Sequence, residues 1–318
     1  MGVDQGTMTS PSLNALLKAA VARTYPEIPT EGRDKVTVLQ AVMDAHGWRP
    51  VLELGRELRA LASHPVLRAL VAGPTPRHAV ERWTTLERFL HSRHRTQLLS
   101  HDLARAQMTL RHVAIDGGAI LTVNDLFIWG VLVALLETAG VTELSVTLDS
   151  GGEAPMVIHG PARVDDTRSL PATTNVATFH WRPGKPLHLQ VPAAPPEAAP
   201  REVRERLEQV MRDDLLHPWT LEETAQRLAL SRRGLQRALQ QEGTTFSQTL
   251  QRVRVGAAHA LLADARLTLT DVAFCTGFSD QAHFSRTFRK HNDVPPSALR
   301  ELVLTRSVTA SRSNKSPG

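Results

Sequence analysis

A short stretch, Thr220-Leu-Glu-Glu-Thr-Ala225, returns 48 residues later as Thr268-Leu-Thr-Asp-Val-Ala273. In each copy the leading threonine can accept a hydrogen bond from the backbone N–H three residues further on. We predict a full capping box in the first copy, closed by Glu223, and a shorter acidic version in the second, closed by Asp271. Paired N-cap signals of this kind indicate that two equivalent helices begin here.

Each copy continues with a tight turn and a second helix. The alignment joins Arg227-Leu-Ala-Leu-Ser231 to Cys275-Thr-Gly-Phe-Ser279. The small alanines that end the first stretch suit a close helix crossing, and Ser231 and Ser279 are predicted to cap the next helix. A helix, a short turn and a capped second helix form a helix-turn-helix unit. The sequence therefore predicts two such units, at about 220–242 and 268–291.

The second helix of each unit has an apolar inner side, formed by Leu235 and Leu239 in the first and by Phe284 and Phe288 in the second. Its outer side is polar and basic, and there the candidate DNA-binding residues are Arg232, Arg233, Gln236, Arg237, Gln281, His283, Ser285, Arg286 and Arg289. Arginine can pair with guanine and glutamine with adenine in the major groove, while other basic groups neutralise phosphates. The pattern favours double-stranded DNA as the partner.

A connecting helix is predicted between the two units, over Ser247–Ala263, and its length is about 25 Å. Its expected apolar side consists of Leu250, Val253, Ala257, Ala260 and Leu261. Arg252 and Arg254 on this helix are expected in solvent. A spacer of this order could set two recognition helices about one DNA turn, roughly 34 Å, apart.

Residues 203–304 resemble the DNA-binding domain of the AraC/XylS transcription regulators. The resemblance is carried by Ser231-Arg-Arg-Gly-Leu-Gln-Arg237, by Gly277-Phe-Ser-Asp-Gln-Ala-His-Phe-Ser-Arg-Thr-Phe-Arg-Lys290 and by Val294-Pro-Pro-Ser-Ala-Leu-Arg300. It implies base contacts from Arg233, Gln236, Arg237, Gln281, His283 and Arg286.

The sequence departs from the family pattern at three positions. Ala229 replaces a frequent turn glycine, Asp293 stands where glycine is usual, and Leu299 replaces an aromatic residue. We expect Asn292 or Asp293 to take a strained turn conformation.

The first part of the chain mixes two periodicities. Helical spacing predicts helices around Leu13–Ala20, Val51–Leu61, Ala79–Leu90 and Leu126–Ala139. Alternation predicts strands at Met108–Val113, Leu144–Leu148, Met156–Ile158 and Ala177–Trp181. The apolar run Leu126–Leu136 is short of the about 20 residues of a membrane span, so we expect a buried helix.

The predicted fold class is an α+β N-terminal domain followed by an all-α C-terminal domain with two helix-turn-helix subdomains joined by a linker helix. The first domain resembles the effector domain of those AraC regulators whose sensor is an α/β, arabinose-binding-like domain. The resemblance is carried by Pro76-Arg-His-Ala-Val-Glu-Arg-Trp83 and Asn124-Asp-Leu-Phe-Ile-Trp129.

Charge and proline content suggest the domain boundaries. Residues 1–202 hold 20 basic and 20 acidic residues, so the net charge of +5 lies entirely in the remainder. Four prolines between residues 191 and 202 predict an extended linker. We divide the chain into an effector-sensing or oligomerisation domain (1–190), a linker (191–202), a DNA-binding domain (203–304) and a disordered tail (305–318).

Three other groups of residues have plain explanations. His91, His94 and His101 cluster beside arginines. The i, i+3 spacing would permit two of them to converge on one helix face, but the neighbouring arginines favour a basic surface over a metal site. The single cysteine, Cys275, rules out an internal disulfide and is expected to be a buried, inert thiol. Seven aromatic residues are expected mainly in the core, although together they could line an effector pocket: Trp48, Trp83, Trp129, Trp181, Phe89, Phe127 and Phe179.

The sequence contains no nucleophile elbow, no phosphate-binding glycine loop and no His-Glu-x-x-His motif. We expect no catalysis, no cofactor and no metal. The prediction is a cytoplasmic, sequence-specific DNA-binding transcription factor that responds to a small-molecule effector. RNA polymerase and a second copy of the chain are further candidate partners. Two alternatives stay open: a ligand-independent DNA-binding protein with a dimerisation module, and an enzyme domain fused to a DNA-binding domain.

Overall fold

The computed structural model describes residues 11–61, 64–73, 75–89, 93–149, 154–162, 164–182, 203–302 and 304. The chain divides into two compact units, unit 1 (residues 1–189) and unit 2 (residues 190–318). The segments predicted as linker and tail, 191–202 and 305–318, lie outside the described residues. None of the described helices has the length and apolarity that crossing a bilayer requires.

Unit 1 combines helices with one antiparallel sheet. Its helices are α1 (Pro11–Thr24), α2 (Lys35–His46), α3 (Trp48–Arg56), which continues as a 3-10 turn (Glu57–Leu61), α4 (Pro65–Val71), α5 (Pro76–Phe89) and α6 (Thr122–Thr138). Its strands are β1 (His94–Asp102), β2 (Gln107–Ala114), β3 (Ser145–Leu148), β4 (Met156–His159) and β5 (Val176–His180). The sheet order is β1-β2-β5-β3-β4. The four predicted strands correspond to β2 through β5.

Helix α6 lies at the centre of unit 1. Every residue from Val123 to Leu136 is buried, which confirms the buried helix predicted from the apolar run. Its backbone touches that of α3, since a Cβ added to Gly130 would lie 1.9 Å from the carbonyl oxygen of Leu52. A Cβ added to Gly55 on α3 would likewise clash with the backbone carbonyl oxygen of Phe127 on α6. Only glycine permits two helices to approach this closely.

The sequence does not predict β1, α2 or α4. Strand β1 is an edge strand with a bulge between Leu98 and Ser100, and Thr96 is its one fully buried residue. It therefore lacks the apolar alternation that marks a half-buried strand. The helix face that the i, i+3 spacing of His91 and His94 would permit does not extend to His94, because His94 lies on β1, as does His101. His91 lies outside the described residues.

The aromatic residues are mostly core, as expected. Six of them are buried: Trp48, Trp83, Trp129, Phe89, Phe127 and Phe179. Trp181 is half-buried. Trp48 alone of the seven lines either of the two clefts described below for unit 1.

Unit 2 is helical throughout its described length. Its helices are α7 (Val203–Asp213), α8 (Leu221–Arg227), α9 (Arg232–Gln241), α10 (Phe246–Leu262), α11 (Leu269–Cys275) and α12 (Gln281–Asn292). One core cluster joins α7, α8, α9 and α10, and includes Leu207, Met211, Trp219, Leu235 and Leu239. Around α12, the rings of Phe278, Phe284 and Phe288 pack 5.3 and 5.5 Å apart.

Helix α10 has more than one buried side, because it contacts α7 as well as α11 and α12. The single apolar side predicted for it is partly wrong. Val253 is buried, but Ala260 is exposed, and Val255, Ala258 and Leu262 are buried instead. A helix packed against several neighbours needs apolar residues around more of its circumference than one stripe provides.

Candidate nucleic-acid interface

The two copies of the repeat have the same backbone structure at the turn. The N–H of Leu230 donates to the carbonyl of Ala225 at 2.9 Å, and 48 residues later Phe278 donates to Ala273 at 3.0 Å. The residue before each donor has a positive φ, +56° at Ala229 and +76° at Gly277. The alignment seen in the sequence is therefore a structural equivalence of two helix-turn-helix units.

The capping boxes are distributed differently from the prediction. Thr268 and Asp271 form a complete box, in which the Asp271 carboxylate accepts from the backbone N–H of Thr268 at 2.8 Å. Thr220 caps α8, accepting from the N–H of Glu223 at 3.2 Å, but Glu223 does not close the box.

Two basic groups occupy the Glu223 carboxylate instead. His217 lies 2.8 Å and Arg227 2.9 Å from it, and these bonds, the one from His217 most, hold the pKa of Glu223 below its usual range. The competition from these charged partners explains why the predicted box fails.

The second helices begin at different residue types. Ser231 caps α9 as predicted, accepting from the N–H of Gly234 at 3.0 Å. The N-cap of α12 is Asp280 rather than the predicted Ser279, and Asp280 accepts from the N–H of His283 at 2.6 Å. This bond first, and then the bond from the Ser279 hydroxyl, hold the pKa of Asp280 below its usual range.

The predicted inner sides are buried, and the candidate DNA-binding residues lie on the opposite sides of α9 and α12. Leu235, Leu239, Phe284 and Phe288 are each at most 2% exposed. The exposed candidates are Arg232, Arg233, Gln236, Arg237, Gln281, Arg286 and Arg289, while His283 and Ser285 are half-buried.

The arginines on these outer sides differ from the other arginines of unit 2. Within the described part of the chain, the side chains of Arg232, Arg233, Arg237 and Arg289 form no ion pair or hydrogen bond. Four other exposed arginines of the unit are paired with acids: Arg212 with Glu208, Arg227 with Glu223, Arg252 with Glu208 and Arg266 with Asp264. Uncompensated positive charge is thus concentrated on α9 and α12, where an external anion can approach it.

Residues 224–302 match a protein-family model described as a helix-turn-helix domain. The transcriptional activator RhaS of Klebsiella pneumoniae is 43% identical over 81 residues, which are 25% of this chain and 29% of the relative. The ornithine utilization regulator of Pseudomonas aeruginosa is 41% identical over 81 residues, 26% of this chain and 24% of the relative. The matched stretch is less than a third of either relative's length.

The C-terminal unit is an AraC-type helix-turn-helix domain. Domains of this type bind DNA in transcription regulators, and the relatives matched here are themselves regulators of transcription. Among solved structures, a DNA-binding transcriptional dual regulator of Escherichia coli K-12 is 27% identical. The match covers 34% of this chain and 98% of the solved chain, with a TM-score of 0.33.

Two residues of the AraC-type domain have hydrogen bonds that orient their polar atoms. The Gln281 side-chain oxygen accepts from the Thr270 hydroxyl at 2.7 Å, which ties the start of α12 to α11 and leaves the amide NH₂ group as a donor. His283 contacts the Ser279 oxygen through Nδ1 at 3.0 Å, while the Ser279 hydroxyl donates to Asp280. Because that hydroxyl has one hydrogen, Nδ1 of His283 must be the donor, and Nε2 of the neutral ring is an acceptor. Sequence reasoning missed the positioning role of Thr270.

The remaining sequence expectations for this domain have mixed outcomes. Asp293 adopts the left-handed conformation expected of Asn292 or Asp293, with φ +59°. Cys275 is buried, and burial, followed by the charge of Asp271, raises the pKa of its thiol to about 12. Arg252 is exposed as expected, but Arg254 is half-buried, and this burial lowers the pKa of its guanidinium. The solvated position predicted for Arg254 is wrong, because it packs beside the turn at Gly277.

Proposed function

We propose that this protein is a transcription factor that binds a specific double-stranded DNA site through α9 and α12 and changes its DNA binding when unit 1 binds a small molecule. The observation that carries the proposal is the concentration of unpaired arginines on the equivalent helices of two helix-turn-helix units. In this proposal the units are two subdomains joined by α10. The 17 residues of α10 correspond to about 25 Å of helix.

The proposed chemistry divides between bases and phosphates. We propose that Arg233, Gln236, Arg237, Gln281, His283 and Arg286 reach base edges, and that Arg232, Ser285 and Arg289 contribute to holding the phosphate backbone. Arginine pairs with guanine through two hydrogen bonds. The acceptor Nε2 of His283 suits an exocyclic amino group, on cytosine or adenine.

The proposed domain roles follow the division of the chain. Residues 1–190 act as the effector-sensing or oligomerisation domain and residues 203–304 as the DNA-binding domain, with 191–202 as linker and 305–318 as tail. Two clefts of unit 1, of about 310 and 300 Å³, are open to solvent rather than enclosed, and they are the places in unit 1 where we propose to look for an effector. A second copy of the chain and RNA polymerase complete the proposed partners, and the site of action is the cytoplasm.

The test is selection of bound DNA from a random pool by the full chain, followed by affinity measurement on the selected site. Arg237→Ala and Arg286→Ala should each lose about 1–3 kcal/mol of specific binding. Arg212→Ala is the matched control, since Arg212 is also exposed but is paired with Glu208 on α7. No enriched site, or equal affinity of wild type and both recognition-helix variants, would refute the proposal.

A further inference from the structure

The turn of the second helix-turn-helix unit is one residue longer than the turn of the first. The main-chain bonds that close the two turns are donated by Leu230 and Phe278, which are 48 residues apart. The helix caps that follow, Ser231 and Asp280, are 49 residues apart. Ser279 is the additional residue, and its side chain is exposed and is not needed to cap α12.

The side chain of Ser279 links two other groups. Its hydroxyl donates to Oδ2 of Asp280 at 2.9 Å, and its oxygen lies 3.0 Å from Nδ1 of His283. The pKa of Asp280 is held below its usual range, first by the bond from the His283 backbone N–H and then by the Ser279 hydroxyl, so this carboxylate is ionised and has no proton to donate. The one hydroxyl hydrogen is therefore committed to Asp280, and Nδ1 of His283 donates to the serine oxygen.

The His283 ring is also held by its other neighbours. The backbone N–H of His283 donates to Asp280 at 2.6 Å. The ring of Phe278, which is 3% exposed, packs perpendicular to the imidazole with the ring centres 5.3 Å apart. Since the bond made by one imidazole nitrogen determines the role of the other, Nε2 of the neutral ring can only accept a hydrogen bond.

The first unit has no counterpart of this arrangement. The third residue after the cap is Gly234 on α9, at the place that His283 takes on α12. Gly234 has no side chain to offer to a base, and no additional residue precedes its cap, Ser231. The link from Ser279 to His283 is therefore a feature of α12 alone among these two helices.

The hydrogen-bond role of Nε2 determines which bases suit it. In the major groove, adenine presents its N6 amino group and cytosine its N4 amino group, whereas guanine and thymine present only acceptors. An accepting Nε2 therefore pairs with adenine or cytosine. A donating Nε2 needs an acceptor, such as O6 of guanine or O4 of thymine. A change of tautomer would thus exchange the preferred bases.

We propose that Ser279 is a specificity-determining positioning residue, which fixes the tautomer of His283 and so makes α12 select adenine or cytosine at the base that His283 faces. Ser279 acts through its bond to Nδ1 and not through a contact with DNA. The inference rests on the DNA binding proposed above. It adds the class of base that one side chain reads and the residue that sets this choice.

The experiment selects DNA from a random pool with the full chain and with His283→Ala, at pH 8, so that the tautomer and not protonation decides the role of Nε2. The position at which His283→Ala loses its preference is the one that His283 faces. There, replacing adenine by thymine or cytosine by guanine should weaken wild-type binding about tenfold.

Ser279→Ala should reduce this discrimination to about threefold or less and leave the preferences at other positions unchanged, because Nε2 can then also carry the proton. Ser279→Thr keeps the hydroxyl and should keep the discrimination. Both variants should melt as wild type does, since the bond that caps α12 comes from Asp280.

A double-mutant cycle separates this role from a structural one. When Ser279→Ala is added to His283→Ala, affinity for the selected site should change by less than about twofold. The inference is overturned if Ser279→Ala keeps the full discrimination, if it weakens binding as much without His283 as with it, or if wild type prefers guanine or thymine at this position. A site that is enriched with no position dependent on His283 would also overturn it. Failure to enrich any site would refute the proposed function itself, and this role of Ser279 with it.

Discussion

Ala229 and Gly277 occupy equivalent positions in the two turns, but only Gly277 is suited to its conformation. Ala229 has φ +56°, where a residue with a Cβ is less stable than glycine by about 1–2 kcal/mol. At Gly277 a Cβ would lie 2.1 Å from the carbonyl oxygen of Leu215. The first turn therefore tolerates either residue, and the second requires glycine.

Two opposite substitutions test this difference. Ala229→Gly should raise the free energy of unfolding by about 0.5–1 kcal/mol, the relief of strain exceeding the added entropy of the unfolded chain. Gly277→Ala should lower it by more than about 1 kcal/mol, because the backbone must move. Urea unfolding of both variants beside wild type measures the change. A destabilised Ala229→Gly protein would contradict the assigned turn conformation.

Lys35 is a second residue whose environment has a measurable consequence. It is 6% exposed, its ammonium lies 5.2 Å from the centre of the Phe127 ring, and burial lowers its pKa from 10.5 to about 8. Between these two pKa values the unfolded chain keeps a proton that the folded chain has lost. Stability therefore rises with pH through this window, and the buried charge destabilises the fold below it.

Lys35→Met should remove this effect with little change in volume. The variant should be more stable than wild type at pH 7, by about 3 kcal/mol at most, and the rise contributed by Lys35 between pH 8 and 10.5 should disappear. Urea unfolding across this pH range measures both quantities, with Lys18→Met, at a half-buried lysine of α1, as the control. A variant less stable than wild type at pH 7, with the same pH dependence, would show that the charge is compensated.

At the scale of elements, the starts of most helices in unit 2 are determined by capping residues that neighbour them in the sequence. Thr220, Ser231, Thr245 and Thr268 each cap the helix that follows through a bond to a backbone N–H. Such signals need no tertiary contact, so the sequence could predict α8 to α11 and the two turns. The choice of Asp280 over Ser279 at α12 could not be predicted, because both residue types cap helices.

The two caps of the repeat should differ in strength. Thr220→Ala should lower the free energy of unfolding by about 1 kcal/mol, as the loss of a single N-cap bond. Thr268→Ala should cost about 2 kcal/mol, because it also removes a bond to the 4% exposed carboxylate of Asp271. Parallel urea denaturation of the two variants gives the comparison. Equal losses would mean that the box adds nothing to the single cap.

Unit 1 was less predictable because its determinants are tertiary. Strands β2 to β5 alternate and were predicted, but β1 is polar and exists through its pairing with β2. The buried pair of His112 and Asp125, 2.8 Å apart, and the cleft at Trp48 depend on side chains distant in sequence. No periodicity in a single sequence encodes such convergence.

At the scale of the molecule, the net positive charge of the sequence lies beyond residue 202, and the unpaired arginines lie on α9 and α12. The outer residues of both helices could be named from the sequence, since burial of Leu235, Leu239, Phe284 and Phe288 fixes which sides face outward. The pairing of the other arginines with acids could not be predicted from the sequence. That pairing distinguishes Arg212, Arg227, Arg252 and Arg266 from Arg232, Arg233, Arg237 and Arg289, whose side chains have no partner in the described part of the chain.

The most direct test of two-helix DNA recognition is hydroxyl-radical footprinting of the full chain on a selected DNA site. We expect two protected segments about one helical turn, roughly 10 base pairs, apart. Arg237→Ala should weaken sequence preference in one segment and Arg286→Ala in the other. A single protected segment, or loss of preference in the same segment with both variants, would contradict the account.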